Sequence, residues 1–352
     1  MQNMPEFSAA LAREIQNRMH EFQRGIQLYH THPFQRVPPP ARVVWERGAT
    51  RLLDYAPTLA MAGGQNEKRQ PLLIIPSLVN RAYILDLLPE KSFVQFLTAR
   101  GFHPLLVDWN EPRDTEQDFG LSDYVTDRLL PIYDFILQNY SVPTIIGYCM
   151  GGNLALALTQ LAPTPPCGLV VMATPWDFHG ADMPRFDETM ARQLLQMVEH
   201  SGELSVDWLQ SFFTALDPFG GVEKFMRFAQ RDMDGDSARL FVALEDWLSD
   251  GVPLTRGVAR DTMQGWYAQN APMKGAWKIA GHVIAPQSLR LPTLAVLPQS
   301  DRIVSSASSS ALAALIPGAL SLTPNLGHIG MMVSRDADTL VWEPVVGWLR
   351  GL

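Results

Sequence analysis

Cys149 stands in the run Gly147-Tyr148-Cys149-Met150-Gly151-Gly152, directly after the apolar Thr144-Ile145-Ile146 and before Asn153-Leu154-Ala155-Leu156-Ala157-Leu158. The pattern reads as a strand, a sharp turn and a helix, with a thiol at the apex of the turn. A thiol near a base ionises readily and forms thioesters, an acyl linkage well matched to exchange with other thioesters. Taken alone, such a cysteine can equally be an inert small hydrophobe. Two residues downstream argue otherwise. Leu294-Ala295-Val296-Leu297 reads as a buried strand, and Pro298-Gln299-Ser300-Asp301 delivers a carboxylate to its C-terminal end. Leu320-Ser321-Leu322-Thr323 reads as a last strand, and Pro324-Asn325-Leu326-Gly327-His328-Ile329-Gly330 puts a histidine in the following turn. Singly, Asp301 is a turn carboxylate and His328 a loop histidine. In this order behind Cys149 they make an acid, a base and a nucleophile.

The elbow and the order of its partners resemble the α/β-hydrolases, where small residues two before and two after the nucleophile let a strained turn lift its side chain above the sheet. Here cysteine replaces the usual serine. The resemblance implies an oxyanion hole made of two backbone amides. One is the amide of Met150, the residue after the nucleophile. The other comes from the loop after the first central strand, within Leu72-Leu73-Ile74-Ile75-Pro76-Ser77-Leu78-Val79-Asn80-Arg81. It is placed at Val79, with Leu78 the neighbouring alternative, and Asn80 and Arg81 read as bracing that loop.

A narrower resemblance rests on several blocks in order. They are Pro76-Ser77-Leu78-Val79-Asn80-Arg81-Ala82-Tyr83-Ile84-Leu85-Asp86-Leu87, Leu106-Val107-Asp108-Trp109, the cysteine elbow, and Ala173-Thr174-Pro175-Trp176-Asp177-Phe178. Trp266-Tyr267-Ala268-Gln269-Asn270, Ser300-Asp301-Arg302-Ile303-Val304 and Gly327-His328-Ile329-Gly330 follow. From about Tyr55 onward the chain resembles the polyhydroxyalkanoate synthases, most of all the catalytic subunit of their short, two-subunit class III type. By that resemblance Cys149 is the acylated nucleophile, His328 the general base and Asp301 its partner. Met150 departs from the glutamine expected there in the short synthases, which bears on the subclass and not on catalysis, since only its amide is needed.

These residues need elements to hold them. From about Leu72 to Ala173 strands alternate with helical stretches, and the alternation resumes at Leu291. That implies an α/β fold whose mostly parallel, doubly wound sheet carries helices on both faces. The expected core is residues 61–175 and 291–352. Between them, residues 176–290 are rich in Met, Phe and Trp, including Trp208, Phe212, Phe213, Phe219, Phe225, Phe241, Trp247 and Trp266, and are expected to form a helical cap. A cap would keep water from an acyl-cysteine. Most of its aromatics are read as its own core, with Trp266–Asn270 the stretch expected nearest the ligand. Residues 1–60 are read as an N-terminal helix and a proline-rich connector, His30 to Arg42. Phe7, Leu11, Ile15, Met19, Phe22 and Ile26 recur at helical spacing. That stripe is expected to pack on the protein's own body in preference to a granule or a partner.

The chain has 352 residues, of which 47% are hydrophobic, enough for a large core. Two cysteines give no disulfide framework, and Cys167, after Pro165-Pro166, reads as a structural thiol. No signal peptide and no apolar run of about 18 residues is apparent, so a cytoplasmic setting is expected. A formal charge of −8 argues against a nucleic-acid partner. No metal or resident cofactor is implied. Through the resemblance, coenzyme A enters as the substrate thioester, with Lys274, Lys278 and Arg290 as candidate local cations for its nucleotide tail. The resemblance also implies 3-hydroxyacyl-coenzyme A and a polyester chain as substrates, a homo-oligomer or a companion synthase subunit, and the surface of polyester granules as a location. An intracellular polyester depolymerase or thioesterase on the same scaffold would carry the same three residues.

Overall fold

Leu72-Leu73-Ile74-Ile75 and Ile145-Ile146 have no polar face, so they are stable as strands only where helices cover both sides. The structure is a computed structural model that describes residues 4–38, 41–56, 69–180, 186–216 and 220–352. Its central sheet contains β1 (Arg42–Arg47), β2 (Thr50–Asp54), β3 (Pro71–Ile75), β4 (His103–Asp108), β5 (Thr144–Tyr148), β6 (Leu169–Met172), β7 (Thr293–Val296) and β8 (Leu320–Leu322) in the spatial order β1-β2-β4-β3-β5-β6-β7-β8. β1 and β2 form an antiparallel hairpin, β2 runs antiparallel to β4, and the remaining pairs are parallel, with Ile74 opposite Ile146 and Ile146 opposite Val170. The sheet is thus the mostly parallel α/β-hydrolase sheet that the alternation implies.

Successive residues of a strand face opposite sides, and the two cores divide accordingly. Leu73, Ile75 and Ile145 pack on one face with Tyr133 and Leu154, from helices α3 (Leu130–Asn139) and α4 (Met150–Leu161). Leu72, Ile74 and Ile146 pack on the other with Phe93, Leu97 and Val345, from α2 (Phe93–Ala99) and α10 (Glu343–Leu349). Ser92 starts α2 by accepting the Gln95 N–H on its hydroxyl at 3.1 Å.

The sheet reaches further towards the N-terminus than the sequence suggests. Residues 42–54, grouped above with the N-terminal segment, form the antiparallel edge hairpin. Their strand signal is weak because β1 is an edge, with Arg42, Val43, Glu46 and Arg47 exposed. The expected division at residue 60 lies outside the described residues, as do Pro39, Pro40 and Phe219.

Between β6 and β7 the chain forms α5 (Glu188–Ser201), α6 (Val206–Leu216), α7 (Gly220–Phe228), α8 (Asp236–Ser249) and a further helical stretch over 256–268; β7 returns it to the sheet, and α9 (Ser306–Leu315) connects β7 to β8. Many of the cap aromatics pack on one another. Phe228 and Phe241 stack at 4.2 Å, and Trp208 and Phe212 at 5.4 Å. The N-terminal helix α1 (Met4–Thr31) divides in two. Its second half lies on the cap, where Phe22 and Tyr29 meet the Phe225 ring at 6.2 and 5.9 Å and the Tyr29 hydroxyl donates to Asp246 at 2.8 Å. In its first half Phe7, Leu11, Ile15 and Met19 stay 66%, 48%, 56% and 53% exposed. The stripe therefore serves packing over only part of its length. Among the described residues no helix is long and apolar enough to cross a membrane.

Candidate active site

At the end of β5 the chain turns sharply into α4, and Cys149 takes φ 56° and ψ −128°. A non-glycine residue with positive φ is strained by about 1–3 kcal/mol, held in place by its surroundings. Here the Cys149 N–H donates to the Met172 carbonyl at 2.8 Å. Two glycines make room for the turn. A Cβ on Gly151 would collide with the Ile75 carbonyl, and one on Gly152 with the Thr174 hydroxyl. The missing Cβ of Gly151 lets the start of α4 press against the carbonyls of Ile75 and Pro76, where the loop from Pro76 to Arg81 begins, and that of Gly152 lets it press against Thr174.

Asp301 follows β7 and His328 follows β8, and the parallel pairing of these strands brings both loops to the sheet edge that carries Cys149. His328 Nδ1 and Asp301 Oδ2 are 2.7 Å apart. The other carboxylate oxygen accepts the N–H groups of Ile303 and Val304 at 2.8 and 2.9 Å. Asp301 is thus aimed from both sides. The Tyr148 ring lies against the imidazole with centroids 5.2 Å apart, and its hydroxyl donates to the His328 carbonyl at 3.2 Å. Burial disfavours the charged imidazole, but the charges of Cys149 and Asp301 and hydrogen bonds to both outweigh it and raise His328 to about 10. The environment therefore favours an imidazolium beside the thiol.

Val79 lies in the loop after β3. Its N–H donates to Ser77 Oγ at 3.2 Å, so serving an oxyanion requires exchanging that hydroxyl for the substrate oxygen. Trp109 Nε1 holds the start of the loop by donating to the Pro76 carbonyl at 3.0 Å. Cys167, at the far end of α4, sets its Sγ 3.4 Å from the Val142 carbonyl, and partial burial raises its thiol. Among the described residues no group of His, Cys, Asp and Glu is arranged for a metal.

Cys149 and His328 open into a cavity of about 550 Å³. Its catalytic end is formed by Ser77, Val79, Tyr148 and Ile329, and its cap end by Val206, Leu209 and Phe213 of α6, Lys224 and Arg227 of α7 and Glu245 and Trp247 of α8. Lys224 and Glu245 form an ion pair at 2.6 Å. Burial raises the Glu245 carboxyl while Lys224 pulls it back down.

Several sequence expectations land elsewhere. The cations that line the cavity are Arg81, Lys224, Arg227 and Arg302, whereas Lys274, Lys278 and Arg290 do not. None of Trp266–Asn270 is among the residues lining this cavity, and the stretch also braces its surroundings. Trp266 is buried against Phe178 and Trp277, and Asn270 holds the Phe178 N–H and Asp177 at 3.0 and 2.8 Å. Within that stretch burial, and then the Cys149 charge, raise the Tyr267 phenol. Sequence reasoning passed over Tyr148, although it sits inside the elbow, and over Lys224 and Glu245, whose pairing across two helices has no local signature.

A family model described as the alpha/beta hydrolase fold matches residues 70–334, and one described as the poly-beta-hydroxybutyrate polymerase (PhaC) N-terminus matches residues 35–97. The poly(3-hydroxyalkanoate) polymerase subunit PhaC of Haloferax mediterranei is 27% identical over 316 residues, covering 88% of this chain and 63% of that protein. The subunit of the same name from Synechocystis sp. is 29% identical over 324 residues, covering 88% of this chain and 84% of its own length. Among solved structures, the putative non-heme bromoperoxidase BpoC of Mycobacterium tuberculosis H37Rv superposes with a TM-score of 0.54 at 14% identity, covering 91% of this chain and 99% of that one. That likeness is one of fold.

Proposed function

Because the chain belongs to the alpha/beta hydrolase fold family, we propose that its Cys149 site carries out covalent acyl transfer, joining 3-hydroxyacyl units from coenzyme A thioesters into a polyester. The observation that carries this reading is a positive-φ cysteine at a strand-to-helix turn, sharing one cavity with a histidine that Asp301 orients at 2.7 Å. The polymerase relatives named above add the substrate class.

In the first step the Cys149 thiolate attacks the thioester carbonyl, and the amides of Met150 and Val79 receive the oxyanion. The carbon–sulfur bond to coenzyme A breaks, and the departing thiolate takes the proton of the His328 imidazolium. His328, now neutral, accepts the proton of the hydroxyl of a hydroxyacyl unit or growing chain. That oxygen attacks the carbonyl of the Cys149 thioester, an ester forms, and Cys149 leaves as the thiolate beside the newly formed His328 imidazolium, the pair with which the cycle began. Each cycle lengthens the polyester by one unit and releases one coenzyme A. A positioned histidine contributes about 10²–10⁴-fold to such transfers. Asp301 fixes its tautomer, and the apolar wall from α6 suits an aliphatic chain. A companion subunit and attachment to polyester granules belong to the same reading.

Incubating the purified chain with 3-hydroxybutyryl-coenzyme A, while scoring insoluble polymer against free 3-hydroxy acid, tests it. Polymer with stoichiometric coenzyme A release is expected, with or without an added companion subunit. Free acid as the sole product would make the protein a hydrolase on the same scaffold.

A further inference from the structure

The loop that follows β3 is held from two directions. The core fixes its start through Trp109, whereas its end, Val79 to Arg81, is fixed by the cap. The Val252 N–H donates to the Val79 carbonyl at 3.1 Å, and Asn80 pairs antiparallel with Gly251. Trp247 Nε1 donates to the Arg81 carbonyl at 2.8 Å. Arg81 in turn reaches back, its Nε 3.1 Å from Asp250 Oδ1. Asp250 closes α8, a helix that also lines the cavity through Glu245 and Trp247.

We propose that Arg81 and Asp250 are positioning residues that couple the cap to the oxyanion-forming loop, so that the Val79 amide is correctly aimed only while the end of α8 is docked on it. This rests on the acyl-transfer reading for its chemistry, though not on which acyl donor is natural. The physical argument concerns what each group can affect. The Arg81–Asp250 pair is partly exposed, with the aspartate side chain 46% accessible, and such pairs add little to stability. Its position matters more, because it clamps Arg81, two residues after Val79, and an oxyanion donor displaced by a fraction of an ångström loses much of its effect. Docking the cap and completing the oxyanion hole then become one event, which limits acyl-enzyme formation to a covered site.

Two reactions of the same thiol separate positioning from general damage. Alkylation of Cys149 by iodoacetamide needs the thiolate and no oxyanion hole. Acylation by p-nitrophenyl acetate needs both, and is read as the burst of p-nitrophenolate. In the full chain, Asp250→Asn and Arg81→Met should each slow the acylation burst about 10- to 100-fold while changing alkylation by less than about twofold. The double variant should be no slower than the worse single one, because both remove one link. Arg81→Lys, which keeps the charge, should recover part of the burst. An unchanged burst, equal losses in both reactions, or no burst in the unaltered chain would overturn the coupling. A normal burst that depends on Asp250, with no polymer from 3-hydroxybutyryl-coenzyme A, would instead overturn the polymerase reading and leave the coupling standing.

Discussion

Asp301 meets His328 through one carboxylate oxygen, Oδ2 at 2.7 Å from Nδ1, while its other oxygen is already committed to the backbone N–H groups of Ile303 and Val304. An asparagine there keeps its oxygen on the backbone and presents its NH₂ to the imidazole, forcing Nδ1 to accept and moving the ring proton to Nε2. That tautomer cannot take a proton from the Cys149 side. Asp301→Asn should therefore lower turnover of an acyl-coenzyme A by about 10²–10⁴-fold with little change in unfolding midpoint. Near-normal turnover would remove Asp301 from the mechanism. Asp250, at the end of α8, is committed instead to Arg81 at 3.1 Å.

The thiols should separate by reactivity. Cys149 lies in the cavity beside a raised histidine, whereas partial burial raises the Cys167 thiol against Val142. Limiting iodoacetamide followed by peptide mass spectrometry should modify Cys149 first, and His328→Ala should slow that labelling. Cys149→Ala should abolish turnover and keep the fold by circular dichroism. Equal labelling of both cysteines would be the contrary result.

The elevated His328 also carries a sign for stability. Its folded value of about 10 lies above the value of about 6.5 for an unfolded chain. Its contribution to stability is then complete below about pH 6.5 and is lost as the pH rises through about 10. Urea unfolding of the unaltered chain and of His328→Gln should show the stability of the former falling relative to the latter as the pH is raised across this window. A relative gain with rising pH would contradict the assignment of the charged imidazole to the folded state.

Two glycines should respond in opposite directions to the same substitution. A methyl group on Gly151 meets the fixed carbonyl of Ile75, so Gly151→Ala should cost about 1–3 kcal/mol and displace the Met150 amide, lowering activity as well. Gly347, in α10, has open space around it, and Gly347→Ala should stabilise by about 0.5–1 kcal/mol without touching activity. Thermal melts and turnover on the two variants check both.

The division of α1 predicts two separable truncations. Removing residues 1–20 takes away the exposed Phe7, Leu11, Ile15 and Met19 and should leave the melting temperature almost unchanged. Tyr29→Ala, which removes the contact with Phe225 and the bond to Asp246, should cost about 1–2 kcal/mol. If the short truncation destabilises as much as Tyr29→Ala, the first half of the helix is also packed in solution.

Local chemistry made much of this protein legible in its sequence. A strand that can be buried on both faces must be apolar throughout, so β3, β5, β6 and β7 announce themselves, and the order of Cys149, Asp301 and His328 along the chain assigns each to a strand end. The edge hairpin β1–β2 was harder to read because an edge strand is half polar, and its pattern merges with a connector. Which cations face the cavity could not be read at all. Lys274, Lys278 and Arg290 are near one another in sequence, but Arg81, Lys224 with Arg227, and Arg302 come from three separate segments. The same holds for the Lys224–Glu245 pair and for the docking of Asp250 on Arg81. Periodicity and turn chemistry act over a few residues and fix elements, whereas these contacts exist only after the cap folds back across the sheet and packing brings together groups such as Arg81 and Asp250, 169 positions apart.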